Sequence, residues 1–521
     1  MRLFPSSTGD FQVEKGDLEN LDMLELARYF SLPFQNQEEI AGFLGRYLSA
    51  DAAELKNRQA VLQALRAVGQ VEEKLERLTR NARALVQKTG RLAAERGASA
   101  LIFCNTGQSA LSDYLKLVDE YQALLAACPE AALQDERTAL AWLLQSDCYR
   151  GAQAALEEIQ AAYAGFQSID IGCNVNGFGE VDDWGIIGFN QEQEPLRSLL
   201  SDEPGKAICL AAHIPYPRVG ALAELEAHFH AGFERRFHSQ LRSIGRLLDQ
   251  VDFQEIAAWA EQIHSLQLYQ AALSMMKRYQ AQGCPVCVPV YLDDRIQLEA
   301  VSYPHLSLRA GLAVPVSAAL PRARIALVTG PNHSGKTSFL KSLAQCVLLS
   351  HLGMMVPAEA FATPIYHQVI TLFSAGEENG SNQSRYELEL TIIRKMYERA
   401  DSATLLLFNE PLTATNPEEA IPILADLLSR MVQRGCTQLV VTHYYEVYDR
   451  LMAQLPDQVS SFITETAIEE GQIRYGYRIQ ASAPKPQRYA HMIAEKYGLT
   501  AERILQDKQL AALIHAYLEI D

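Results

Sequence analysis

The sequence predicts an α/β fold in its C-terminal half, preceded by a mostly α-helical region. Between about residues 18 and 165, Leu55, Leu62, Leu65, Val68, Leu75, Leu78 and Leu85 recur at spacings of three and seven, the repeat of one helix face. From the Gly283-Cys-Pro breaker onward the pattern becomes short β-rich runs separated by helix-length segments. One of those runs feeds a glycine-rich loop that opens a helix, as in sheets built from alternating strands and helices.

The elements follow in order. The helical region breaks near Ser168, where Ile-Asp-Ile-Gly-Cys-Asn-Val-Asn-Gly-Phe-Gly and further glycines at 185 and 188 read as short strands and turns. Helical periodicity returns from about Val219 to Ala281 and reads as one long exposed helix, with Glu224, Glu226, Arg235, Arg236, Arg242 and Arg246 solvating a face. Strands are expected at 286–292, 296–301, 324–328, 369–373, 404–408 and 438–441, forming a largely parallel sheet. A hairpin pairs 460–466 with 472–479 around Glu470-Gly471, and two helices are expected to run on to Asp521. These transitions set four segments: 1–165, 166–283, 284–497 and 498–521.

A chain of 521 residues with 48% hydrophobic residues has the composition of a globular protein with two to four cores. Its formal net charge of -17 repels a nucleic acid backbone, so any DNA contact requires cations gathered locally. The nine cysteines, Cys104, Cys128, Cys148, Cys173, Cys209, Cys284, Cys287, Cys346 and Cys436, are odd in number and scattered, which suits reduced thiols. Cys284-Pro-Val-Cys287 lacks a second ligand pair for structural zinc and reads as packing. The residues from Met1 to Lys15 lack an apolar core, and no stretch approaches a membrane span, so a soluble, cytoplasmic protein is expected.

The chemistry concentrates in three strand ends. After Ile325-Ala-Leu-Val328 comes Gly330-Pro331-Asn332-His333-Ser334-Gly335-Lys336-Thr337-Ser338, a GxxxxGKT loop entering the helical run 338–349. Such glycines let backbone N–H groups curl around phosphates, the helix N-terminus adds its dipole, the lysine reaches the β and γ oxygens, and the threonine hydroxyl ligates magnesium. Binding of ATP or GTP is therefore expected. Thr404-Leu-Leu-Leu-Phe408 ends in Asn409-Glu410, where Glu410 is placed to polarise an attacking water and Asn409 takes the position of a magnesium-shell carboxylate. An amide there accepts a hydrogen bond but adds no charge, which predicts slower hydrolysis or weaker magnesium dependence, not loss of nucleotide binding. Gln438-Leu-Val-Val-Thr442 ends in His443, a candidate γ-phosphate contact.

These residues resemble the MutS mismatch-repair family. The run from Thr329 to Lys341, followed by His351-Leu-Gly-Met-Met-Val-Pro-Ala358, is similar to that family's phosphate loop and its G-x-x-V-P-A segment. Val440-Val-Thr-His-Tyr-Tyr-Glu446 resembles its T-H-Y-x-E strand end, and Ser384-Arg-Tyr-Glu-Leu-Glu-Leu390 its S-T-F-x-x-E-M signature. Weaker likeness runs through Leu48-Ser-Ala-Asp51, Lys56-Asn-Arg58-Gln59-Ala-Val61, Ile171–Asn176 and Gly185–Asn190. The resemblance implies an ABC-type P-loop ATPase domain behind helical core and lever regions. It implies ATP and Mg2+ as cofactors, with Thr337, Asn409 and Glu410 at the metal and Ser384 reaching the γ-phosphate across a homodimer. A heterodimer with a paralogue is the variant in which a partner supplies the missing aspartate.

The sequence also departs from that pattern. Phe11-Gln-Val-Glu14 has the wrong spacing for the family's Phe-x-Glu wedge, and core-like helices start early, so a mismatch-sensing N-terminal domain is not expected. The clamp segment is expected to shorten to about 201–227. Glu410-Pro-Leu-Thr-Ala-Thr415-Asn416-Pro417 replaces the glycine-rich G-R-G-T-S, and Arg488 replaces serine in Lys485–Ala490, which resembles an S-Y-G helix entrance. The expected function is an ATPase that binds mismatched, branched or otherwise distorted DNA as a dimer in DNA repair or recombination, with branched or distorted duplex, read by shape, fitting better than a single mismatch. The alternative is a nucleotide-gated switch acting on a protein partner.

Overall fold

The computed structural model describes residues 3–5, 9–129, 133–163, 168–178, 181–190, 233–311, 313–373, 385–469, 472–484 and 499. The chain divides into two units, residues 1–4 with 64–267 and residues 5–63 with 268–521. This division cuts across the four consecutive segments read from the sequence, because residues 5–63 group with the C-terminal part. Among the described residues no helix is long and apolar enough to cross a membrane.

In the first unit, two long helices, Val71–Ala98 and Ala100–Ala127, run back along each other and receive Phe253–His264 on the first of them. The seven leucine and valine positions that announced the helical period, from Leu55 to Leu85, are all buried, Leu55 and Leu62 within the second unit and the other five within the first. Ser99 ends one long helix and caps the next, its hydroxyl accepting from the Ile102 N–H and donating to Glu234. The stretch from 238 onward is not the single exposed helix expected. It forms His238–Leu248 and Phe253–His264, because the Asp252 carboxylate accepts from the N–H groups of Gln254 and Glu255 and starts a new helix, and then Gln267–Ala281, which belongs to the second unit from residue 268 on. The expected strands near 168 form an antiparallel hairpin, β1 (Ser168–Val175) with β2 (Val181–Asn190). The expected clamp segment at 201–227 lies outside the described residues.

The second unit holds two sheets, built from β3 (Val290–Tyr291), β4 (Arg295–Val301), β5 (Val316–Pro321), β6 (Ile325–Thr329), β7 (Ala360–Thr363), β8 (Gln368–Phe373), β9 (Thr404–Asn409), β10 (Thr437–Val441), β11 (Val459–Glu469) and β12 (Gln472–Ala481). The larger sheet has the order β12-β11-β6-β10-β9-β8 and is parallel except for the β11–β12 hairpin, as expected. Strands β6, β9 and β10 carry the apolar runs Ile325–Val328, Leu405–Phe408 and Leu439–Val441 and are buried almost throughout, because both faces are covered. The helix Lys336–His351 is itself buried over most of its length, and Leu424, Leu428, Met431, Val447 and Leu451 of the helices Pro417–Gln433 and Glu446–Gln454 join the strand residues in one core cluster.

The smaller sheet, β3-β7-β4-β5, has antiparallel pairs and was not anticipated. The expected strand at 286–292 shrinks to two residues plus a bridge between Cys287 and Val356, since Pro285 and Pro289 supply no N–H to a ladder. N-terminal residues extend the larger sheet: Gln12 bridges Gln368 at the β8 edge, and buried Asp17 accepts from both the N–H and the hydroxyl of Thr371 at 2.7 Å. Burial raises the Asp17 carboxyl above the usual carboxylate range, opposed by those hydrogen bonds.

Candidate functional site

The registers of the parallel sheet bring three chain segments to one edge. Val328 pairs with Val441, and Val441 with Asn409, so β6, β10 and β9 end side by side. Their carboxyl ends open the crevice in which ligands of such sheets bind. The loop Gly330–Gly335 leaves β6 there, Asn409-Glu410 closes β9, and Thr442-His443 follows β10. Two further bonds lock the ends: the Glu410 N–H donates to the Val441 carbonyl at 2.8 Å and the Thr442 N–H to that of Val328 at 3.2 Å.

Sterics explain the loop's glycines. Gly330 has φ 150°, and a Cβ there would stand 2.0 Å from Thr464 Oγ1. Gly335 has φ 95° and lies against Tyr477. Both neighbours come from the β11–β12 hairpin, so the hairpin floors the loop. The Thr464 hydroxyl donates to Ser334 Oγ at 2.7 Å, and Ser334 donates to the Pro331 carbonyl at 2.7 Å, tightening the turn. His333 takes φ 64°, and the Asn332 and His333 side chains are exposed.

Lys336 is only 5% exposed, and its ammonium donates to the carbonyls of Gly330 and Pro331, each at 2.9 Å. Burial lowers its pKa, opposed by the charge of Glu410. A buried cation held by the loop's own carbonyls is ready to exchange them for a more negative ligand. At the next residue, the Thr337 hydroxyl donates to Asn409 Oδ1 at 2.9 Å, joining the loop to β9. Glu410 follows at φ 53°. His443 is exposed, with its ring 4.3 Å from that of Tyr444. Ser384 lies outside the described residues, as do the expected C-terminal helices and residues 485–490.

Beside the loop is a cleft of about 260 Å³ lined by Tyr303, Val314, Val316, Gly335, Phe339 and Tyr477, with exposed Ser338 at its margin. Sequence reading did not find this cleft, nor the roles of Thr464 and Tyr477. The Gly-x-x-x-x-Gly spacing says that a loop is tight but not which distant strand lies beneath it.

The residues present fit a triphosphate and a divalent cation. The cradle at Gly330 has no room for a Cβ, Lys336 supplies positive charge, and Thr337 Oγ1 and Asn409 Oδ1 already face each other as oxygen donors, with Glu410 next in the chain. The departure is charge: one carboxylate stands at the end of β9 where a pair would bind a cation more tightly.

Part of this chain is similar to known proteins. Residues 326–515 match the family model of MutS domain V. The DNA mismatch repair protein MutS of Geobacillus sp. (strain WCH70) is 28% identical over 229 residues, 43% of this chain and 26% of that protein. MutS of Streptococcus suis (strain 98HAH33) is 28% identical over 34% of this chain and 22% of its own length. MutS of Thermus thermophilus is 26% identical over 43% of this chain and 27% of its own length. The similarity therefore takes in about a quarter of each relative.

Proposed function

Because this chain belongs to the MutS family through its domain V, we propose that it binds and slowly hydrolyses ATP with Mg2+, and that nucleotide governs its hold on DNA as a dimer. The observation that carries the nucleotide reading is the join of loop and strand end: Lys336 buried on the loop carbonyls, and Thr337 bonded to Asn409 beside Glu410.

The roles follow from position. Lys336 turns from the Gly330 and Pro331 carbonyls to phosphate oxygens. The apolar cleft of Tyr303, Phe339 and Tyr477 takes the nucleobase. Glu410 accepts a hydrogen bond from the attacking water and aligns it, and His443 donates to the terminal phosphate. When bound, Mg2+ neutralises charge on the β- and γ-phosphate oxygens. Thr337 and Asn409 hold its shell with one negative charge fewer than an aspartate would give, hence the slow turnover. Ser384, by family likeness, completes the site of a partner subunit.

For DNA, the supporting observation is local. Arg235, Arg236, Arg242 and Arg246 are all exposed, and the helix His238–Leu248 contains no acidic residue. These cations, which the sequence reading assigned to a solvated face, are what a chain of net charge -17 needs to approach phosphates. Contacts of this kind read backbone shape rather than bases, so branched or distorted duplex suits them. The test is the ATPase rate of the purified chain titrated with linear duplex, mismatched duplex and four-way junction at two salt concentrations. Stimulation by junction or mismatch that fades with salt is expected. Turnover indifferent to every DNA would transfer the function to a protein partner.

A further inference from the structure

We infer that Glu389 is a positioning residue for Glu410, holding the turn after β9 in the form that hydrolysis requires; this rests on the ATPase reading above. Glu389 lies in the helix Arg385–Arg399, is 7% exposed, and accepts the Leu412 N–H through Oε1 at 2.6 Å. The turn it grips is unusual. Glu410 has φ 53° and Leu412 φ 59°, both in the left-handed region, and Glu410-Pro-Leu-Thr-Ala-Thr415 contains no glycine. Left-handed residues with side chains persist where surrounding contacts over-determine them.

Those contacts can be named. The Glu410 N–H is tied to the Val441 carbonyl at 2.8 Å, the Leu412 carbonyl accepts from the Tyr444 hydroxyl at 3.3 Å, and the Leu412 side chain is fully buried. The Glu389 bond is the shortest of these, and a charge-assisted bond is the strongest kind available to a backbone N–H. Keeping a carboxylate in a buried position costs solvation, and burial pushes its carboxyl above the usual range while the Leu412 N–H pulls it down. Burial raises the Tyr444 hydroxyl, and the charges of Glu389 and Glu410 add to that, so one phenol lies within the field of both carboxylates. Only Pro411 separates Leu412 from Glu410, so releasing the Leu412 N–H frees the backbone that aims the Glu410 carboxylate at the attacking water.

The experiment measures steady-state ATPase activity and the affinity for a fluorescent ATP analogue, mant-ATP, on the full chain. Glu389→Ala is expected to lower kcat by about 10- to 100-fold, the scale of general-base misplacement, with KM and mant-ATP affinity within threefold of wild type. Glu389→Gln is expected to stay within threefold of wild-type kcat, because its amide oxygen still accepts the Leu412 N–H. A merely structural residue would lower affinity and turnover together. That outcome, an unchanged kcat in Glu389→Ala, or equal losses in both variants overturns the inference. Should Glu389→Ala fail to fold, Tyr444→Phe removes a weaker bond to the same turn; a two- to fivefold kcat loss at constant affinity supports the positioning, and unchanged kcat overturns it. Wild-type protein that neither binds mant-ATP nor turns over ATP overturns the ATPase reading itself; wild-type turnover matched by Glu389→Ala overturns the positioning alone.

Discussion

Two turns at the end of the same sheet solve one conformational problem in opposite ways. Both the loop after β6 and the turn after β9 require left-handed backbone. The first uses Gly330 and Gly335 where the β11–β12 hairpin crowds the backbone and has one left-handed residue with a side chain, the exposed His333; the second uses Glu410 and Leu412, at roughly 1–2 kcal/mol each, and depends on Glu389, Tyr444 and core packing to hold it. The loop must let a phosphate chain approach its backbone, so glycine stands at the two crowded positions. The turn must present one carboxylate, so a side chain is required at a position where glycine would be easier.

The comparison can be broken at several points. The largest effect is expected at Glu410→Gln: turnover falls by about 100- to 10,000-fold while ATP still binds, trapping an ATP-bound dimer visible by size-exclusion chromatography with light scattering. A variant that stays monomeric with ATP contradicts the shared-interface reading. Lys336→Ala should weaken ATP by at least about 100-fold, since it removes a buried charge-assisted contact; wild-type affinity by titration calorimetry would sink the phosphate-loop assignment.

Leu412→Gly tests the second turn directly. Relief of about 1 kcal/mol of strain competes with loss of a fully buried leucine at about 2–5 kcal/mol. Net destabilisation is expected in a denaturant melt, and a neutral result would mean that packing does not hold the turn. Gly330→Ala tests the first turn: with a Cβ at 2.0 Å from Thr464 Oγ1, a loss of about 1–3 kcal/mol is expected, accompanied by weaker ATP binding. The smallest change is Asn409→Asp, expected to raise magnesium-dependent turnover severalfold. An unchanged rate would remove Asn409 from the metal shell.

What was legible in the sequence was what depends on neighbours along the chain. The parallel strands were legible because burial on both faces leaves uninterrupted apolar runs such as Leu405–Phe408, and the phosphate loop because its glycines answer local backbone geometry. The core leucines of the helical region were legible through their spacing. Illegible features depend on distance in sequence: Thr464 under Gly330, Glu389 on Leu412, and the antiparallel sheet that joins β7 to β4. The helix break at Asp252 was written in the sequence as an Asp with Glu255 three residues on, a capping signal that the surrounding periodicity outweighed.

The docking of Gln12 and Asp17 on β8 has a consequence for handling the protein. Strand β8 ends the larger sheet, and an uncovered strand edge is a template for pairing with another molecule. Residues 9–22 therefore serve as a built-in cover, and trimming them to isolate the nucleotide-binding part would yield a sticky preparation. The boundary for an expression fragment belongs before Gly9, although the phosphate loop lies more than three hundred residues downstream.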